Sequence, residues 1–341
     1  MRNKTRLLYT AFVSHIALIN NVASAETKFN VDPTIQQKLL DKQQESVDFL
    51  KLINIELVKE QGGQLLGLGV NRRIASRTNT AGGTKRATKS VHSMDGREYL
   101  CKKTDFDTHL KYSEVDRWAK FDDFEVRISN HIAHAQGLDR ICIGFNGISA
   151  AVTTDLVANP MLQDVNIGWL QKLRVEAPAQ VLSIAPAGGT KVYYGTHAGN
   201  SYKNLDAIVM DAVEELLPSW AADDTGLVAI VGRDLLHDKY LPKVNQPLAP
   251  TEENALKLIM AEKRLGGLPA YRAPFFPAGK ILITKFSNLS IYEQEDTRRR
   301  NIKDNPELDQ VDDFQSVNEC YVIEDLDFAC LIENIEERNA A

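Results

Sequence analysis

From Asn71 to Glu98 the chain runs for 28 residues with only three large apolar side chains, Ile74, Val91 and Met94. The flanks alternate in strand fashion (Tyr99 and Cys101, then Phe106, Thr108, Leu110 and Tyr112), and Gly62, Gly63, Gly67 and Gly69 lead into a turn-rich middle. Such a ribbon has almost no core of its own, and an isolated two-stranded ribbon is marginal in water. It must therefore lie on another surface or stay disordered. Between Arg72 and Lys103 it also carries nine basic side chains against two acidic ones, in a chain whose totals are 40 Lys and Arg against 46 Asp and Glu. The remainder therefore carries 31 basic against 44 acidic side chains, a net −13. An acidic body with one basic segment is poorly suited to coating nucleic acid and well suited to docking on copies of itself.

At 341 residues, 43% hydrophobic and 25% charged, the chain can bury a substantial core in about two globular units. It has no run of about 18 uninterrupted apolar residues, so no membrane span is expected. Residues 34–55 read as a helix passing into a strand. Trp118, Phe121, Phe124, Ile128 and Ile132 recur at helical spacing, predicting a long amphipathic helix ended by Gly137. Leu162, Val165, Trp169 and Leu173 form another stripe, closed by Pro178. Beyond a loop at 186–201 come a helix at 205–216, a buried strand at 227–232, helices at 235–244 and after Thr251 up to Gly266 and Gly267, strands at 279–286 and 289–294, and a closing antiparallel pair within 318–335. The order predicts an α+β or mixed α/β fold.

The first 26 residues allow two readings. A basic start (Arg2, Lys4, Arg6), an apolar run and Ala23-Ser24-Ala25 fit a secretory signal. Polar Thr10, Ser14, His15, Asn20 and Asn21 interrupt the run, while Leu8, Phe12 and Ile16, with Leu7, Ala11 and Ile19, recur as in an amphipathic helix. Cys101, Cys142, Cys320 and Cys330 lack metal or redox spacing and read as buried free thiols.

Catalytic patterns are weak. Gly67 and Gly69 lack the third glycine of a dinucleotide loop, "GGTKRATKS" lacks the phosphate-loop frame, and "GISAA" leaves Ser149 a loop serine. His131 and His134 are a helix-surface pair without the glutamate of a zinc motif. Asp312, Asp313, Glu324, Asp325 and Asp327 read as solvated carboxylates. No enzyme activity, cofactor or metal is expected.

Several long stretches carry a resemblance: "ESVDFLKLINI" (45–55), "GLGV" (67–70), "TAGGT" (80–84), "IGFNG" (143–147), "NPMLQDVNIGWLQKLRVEAPAQV" (159–181), "LVAIVGRDLLHDKY" (227–240), "KRLGGLPAYRAPFFPAGKILITKFSNLSIY" (263–292) and "RRRNIKDNPELDQVDDF" (298–314), besides "MRNKTR" at the start. Over nearly its whole length the chain resembles the major capsid proteins of tailed temperate phages of the Peduovirus type, which have the Hong Kong 97 capsid fold. The resemblance implies a removable scaffold-like segment (1–29), an N-arm (30–60), an extended loop (61–112), a peripheral domain (113–185 and 290–328) with a spine helix from Asp116 to Gln136, and an axial domain with the C-terminus (186–289 and 329–341). It implies cutting by a prohead protease at Phe29-Asn30, which favours the assembly-helix reading of the N-terminus over export.

The partners it implies are further copies in hexamers and pentamers, an internal scaffold and protease, a portal, packaged double-stranded DNA held non-specifically, and decoration proteins as an optional addition. The product is a virion capsid assembled in the host cytoplasm. Arg72, Arg73, Arg77, Lys85, Arg86 and Lys89 of the extended loop are the expected contacts to an adjacent acidic surface. The competing expectations are a cellular nanocompartment shell of the same fold, a scaffolding or tail-tube protein, and an exported α/β enzyme with a signal peptide.

Overall fold

The protein is described by a computed structural model covering residues 1–65, 75, 77–81, 85–86, 88, 96–121, 123–184, 190–236 and 263–340. Along the chain come α1 (Asn3–Ile19), β1 (Phe29–Asn30), α2 (Pro33–Ser46), β2 (Asn54–Val58), β3 (Gly62–Gln64), β4 (Glu98–Leu100), β5 (Lys102–Asp105), β6 (Thr108–Lys111), α3 (Tyr112–Trp118), α4 (Phe124–Asn146) and α5 (Trp169–Glu176). There follow β7 (Val181–Leu182), β8 (Val192–Tyr194), α6 (Leu205–Leu216), α7 (Ser219–Ala222), β9 (Val228–Val231), β10 (Arg264–Leu265), β11 (Leu268–Arg272), β12 (Ile281–Thr284), β13 (Leu289–Gln294), β14 (Arg299–Asn305), β15 (Gln310–Ile323), β16 (Cys330–Ile332) and β17 (Ile335–Glu337).

Two sheets organise these elements. In the first, β15 is the common strand: β14 pairs with it over 310–316 and β13 over 319–323, while β6 and β5 pair with it over 310–313 and 316–319. β1 and β2 extend this sheet beyond β14 and β13. The second sheet has the order β10-β11-β9-β12-β16-β7. One core joins the sheets to α4 and α5, with Phe49, Phe145, Trp169, Leu282, Leu289, Ile291, Tyr321 and Leu331 in contact. A second cluster packs α6 on the far part of the second sheet through Leu205, Ile208, Val209 and Ala212. The mixed helix-and-sheet expectation holds.

Local chemistry sets the helix starts. Pro33 opens α2, where Asp32 accepts from the Thr34 amide at 2.8 Å, and Asn204 accepts from the Ala207 amide to start α6. Three expectations need correction. The long helix does not run from Asp116 to Gln136 or stop at Gly137: the chain breaks after Trp118, and α4 continues to Asn146. Gly137 is a close-packing site, since a β-carbon there would lie 3.1 Å from both Leu50 and Val47. The 159–181 stripe is helical only from Trp169, because residues 148–168 fold as a loop on Gln163 and Asp164. The closing strands do not pair with each other: β15 lies in the first sheet and β16 in the second, and the 3₁₀ turn Leu326–Phe328 carries the chain across.

The helix expected at 235–244 is described only through Leu236. The one expected after Thr251 lies outside the described residues up to Glu262, and its end, Arg264–Leu265, is instead a strand turning through Gly266 and Gly267 at positive φ. Among the described residues no helix is long and apolar enough to cross a membrane.

Candidate assembly surfaces

The chain on either side of residues 66–95 forms a two-stranded ribbon, β3 with β4, register Gly62 to Leu100. Leu65 and Tyr99 lay it on Cys101 and on Tyr292, Cys320 and Val322 of the first sheet. Arg97 clamps it from the other side, donating to the carbonyls of Ile323 (2.9 Å) and Glu324 (2.8 Å) and pairing with Glu176 at 3.6 Å. The ribbon therefore leaves the body from a rigid footing. Of the expected contact residues, Arg77, Lys85 and Arg86 are exposed. Arg72, Arg73 and Lys89 lie outside the described residues, as do Gly67–Gly69 and most of "GGTKRATKS".

The N-terminal helix is not separate from the body. Tyr9, Phe12, Val13, Ile16 and Ala17 of α1 pack on Phe29, Val31, Tyr112, Ile302 and Val311. Phe12 and Ile16 of the expected stripe are buried and Leu8 is half-buried, whereas Leu7, Ala11 and Ile19 are exposed and Tyr9, Val13 and Ala17 complete the face instead. Arg6 pairs with Asp304 at 3.2 Å, and Asp304 accepts from the Tyr112 hydroxyl at 2.5 Å. Burial and that carboxylate push the Tyr112 phenol up to about 12.

The Phe29-Asn30 junction is β1 itself. Phe29 pairs with Arg300 and is buried, Asn30 pairs with Arg299 and is exposed, and the Val31 amide donates to the Arg298 carbonyl at 2.8 Å. Ala25, at the end of the small-residue triplet, is fully buried.

Against α2 lies a charged cluster that apolar spacing did not reveal. Arg140, on the buried stripe of α4 after Ile128, Ile132 and Gln136, reaches Glu293 at 2.5 Å, Glu319 at 2.9 Å and the Gln43 side-chain oxygen at 2.7 Å, and its side chain has no exposure. The Glu319 contact is too poorly aligned to be a hydrogen bond and acts as a charge contact. Arg298 sits 3.4 Å from Glu293, and Gln36 donates to Glu293 at 2.7 Å. Gln43 donates in turn to Gln136, which donates to Gln315. Burial opposes the Glu293 charge, but Arg298 and Arg140 outweigh it and hold this carboxyl below its usual range. Burial keeps Glu319 above its usual range despite Arg140. Thus α2, α4 and the sheet are registered by one network. The only trace in sequence is a charge at four-residue spacing from an apolar stripe.

The remaining candidates carry no reaction centre. His134 contacts the Ser46 carbonyl and His131 meets the edge of Trp118, as a surface pair would. Ser149 is in a loop, its amide donating to Gln163. Asp313 is held by Arg300 at 2.7 and 3.0 Å, Glu324 accepts from Tyr292, and Asp325 caps a turn. These carboxylates are occupied in the fold, which corrects their reading as solvated. The four cysteines are buried and free. Among the described residues no cluster could hold a metal.

The sequence profile of the family described as "Phage major capsid protein, P2 family" matches residues 8–335. The capsid protein of Escherichia phage P2 is 45% identical, covering 98% of this chain and 96% of that protein. The major capsid protein of Serratia phage KSP20 is 39% identical, covering 98% and 97%. A chain of the satellite phage P4 procapsid, solved with its size determination protein, is 44% identical with a TM-score of 0.83 over the whole of both chains. The capsid chain of an empty GTA particle shares the fold at 13% identity, TM-score 0.50, over 85% of this chain and 90% of that one.

Proposed function

This chain belongs to the P2 family of phage major capsid proteins, and on that premise we propose how it assembles and matures. It has the Hong Kong 97 capsid fold and builds the icosahedral shell of a phage head; it is not an enzyme. Family membership sets aside the exported-enzyme, tail-tube and nanocompartment expectations.

The finer reading divides the chain into the N-terminal segment 1–29, N-arm 30–60, extended loop 61–112, peripheral domain 113–185 with 290–328, and axial domain 186–289 with 329–341. Copies meet as hexamers and pentamers, enclose double-stranded DNA against an acidic, non-adhesive wall, and incorporate a portal. An internal scaffold and a prohead protease act during assembly, and the protease cuts between Phe29 and Asn30. Decoration or size-determination proteins are further partners, by analogy with the P4 procapsid.

The observation that carries this reading is the ribbon footing: a segment without a core is clamped at its base by Arg97 and projects Arg77, Lys85 and Arg86 into solvent. Together with Arg72, Arg73 and Lys89 these residues pair with an acidic face of the adjacent copy. Exposed pairs are worth roughly 0 to 1 kcal/mol each, so errors dissociate while a closed lattice holds. Reversing the charge at Arg72 and Arg73 should leave a folded chain that forms no shells by sedimentation and negative-stain microscopy. Normal particles from that variant would defeat the proposal. Intact mass with and without the protease tests the cut, with loss of residues 1–29 expected.

A further inference from the structure

Cys101 and Cys320 face each other where the ribbon leaves the body. The β5–β15 register pairs Lys102 with Glu319, so the two cysteines occupy the next directly opposed position of an antiparallel pair. Their sulfurs are 3.4 Å apart and both residues are buried. Opposed residues on such strands have β-carbons about 4.5–5.5 Å apart, and a disulfide needs about 3.5–4.5 Å. A small side-chain and strand adjustment therefore brings the sulfurs to the bonded separation of about 2.05 Å.

We propose that Cys101 and Cys320 are a site of disulfide formation, through which a low-molecular-weight disulfide oxidant staples the foot of the extended loop to the central strand of the first sheet. Cys101 is the hinge residue between β4 and β5: its amide donates to the Gln61 carbonyl at 2.7 Å, and its carbonyl accepts from the Gln61 side chain. Part of its cover is Leu65 and Tyr99, both carried by the ribbon. Lifting the ribbon uncovers this sulfur first. The Cys101 thiolate attacks one sulfur of the oxidant, forming a mixed disulfide and releasing one thiolate. The Cys320 sulfur, after losing its proton, then displaces the second. Two protein thiols are oxidised, one oxidant disulfide is reduced to two thiols, and the two protons leave with them.

Contact with Cys101, reinforced by burial, keeps the Cys320 thiol protonated well above its ordinary range. Closure is therefore slow in the folded chain. A reducing cytoplasm leaves the pair as thiols during assembly, and an oxidising medium outside the cell closes it afterwards. The bond fixes the angle at which the ribbon leaves the sheet.

The test uses the full-length protein incubated natively with oxidised glutathione or with dithiothreitol, then denatured in iodoacetamide and digested for mass spectrometry. The reduced sample should carry four alkylated cysteines, and the oxidised sample two, at Cys142 and Cys330, with a peptide linking Cys101 to Cys320. The oxidised sample should also melt at a higher temperature, reversed by dithiothreitol. In C320S, glutathione should stay attached to Cys101. Four alkylated cysteines after prolonged oxidation, or a link to Cys142 or Cys330, would overturn the proposal. The wild-type peptide map decides the matter even if C320S fails to fold.

Discussion

Arg140 and Glu293 are joined at 2.5 Å with both side chains wholly shielded from solvent, 153 residues apart in sequence. The pair ties α4 to β13, and Gln43 and Gln36 bring α2 into the same network. Removing one partner of such a pair strands the other charge. Arg140→Leu should cost about 3–5 kcal/mol, read as a lowered denaturant midpoint. An unchanged midpoint would mean that the network contributes nothing to the fold.

Gly144 touches the Trp169 ring so closely that a β-carbon would lie 2.3 Å from it. Gly144→Ala should destabilise by about 1–3 kcal/mol through overpacking, even though alanine favours helix. Gly137→Ala meets side chains rather than backbone, those of Leu50 and Val47 at 3.1 Å and Ser46 at 3.4 Å. Its helix-propensity gain of about 1 kcal/mol offsets the crowding, so it should be near neutral. Thermal denaturation of the two variants should rank them in that order.

Glu333 sits between Arg174 and Lys280, bonded at 2.5 and 2.6 Å, and joins α5 to β12. Burial opposes its charge, but these two donors prevail and hold the carboxyl below its ordinary 4.5. A lowered folded value means stability that is fully present above 4.5 and drains away as pH falls through the folded value. Glu333→Gln should lower stability near neutral pH and flatten this acid-side dependence relative to wild type in denaturant titrations from pH 7 to pH 3. Parallel curves for the two proteins would contradict the assignment.

The Phe29-Asn30 bond, the proposed cut site, lies in a paired strand packed with α1, so cutting there would require that strand to lift. Phe12→Ala should loosen α1. Each ~1.4 kcal/mol lost raises the open population about tenfold, and cleavage with it. Timed intact-mass analysis with the prohead protease measures this, and an unchanged rate would show that opening is not limiting.

Arg77, Lys85 and Arg86 are exposed, so reversing all three should change the stability of the isolated chain by no more than about 0.5 kcal/mol per site. Shell yield in sedimentation should nevertheless collapse, and wild-type shells should weaken as salt screens these contacts.

Much of this architecture was legible because apolar spacing reports burial. Leu205, Ile208, Val209 and Ala212 lie on the buried face of α6, and Tyr99 and Cys101, read as alternating strand flanks, pack with Tyr292 and Val322. What stayed hidden was non-local. Gly137 carries the usual mark of a helix end, yet its missing side chain serves the approach of Val47 and Leu50. Apolar alternation identifies β15 and β16 as strands but cannot tell that they enter different sheets. Arg140 looks like a surface residue until partners 97 and 153 residues away close over it.

The common strand β15 also sets when the molecule can fold. Its partners at 102–105 and 108–111 are made some two hundred residues before it, and the Asp107 side chain finds the Gln315 amide across a separation of 208. Contacts this distant slow folding, and here they cannot form until β15 itself has left the ribosome. Some two hundred residues must therefore be made while the strands at 102–111 stay open to wrong pairings, and a product truncated before β15 should have no means of joining the shell.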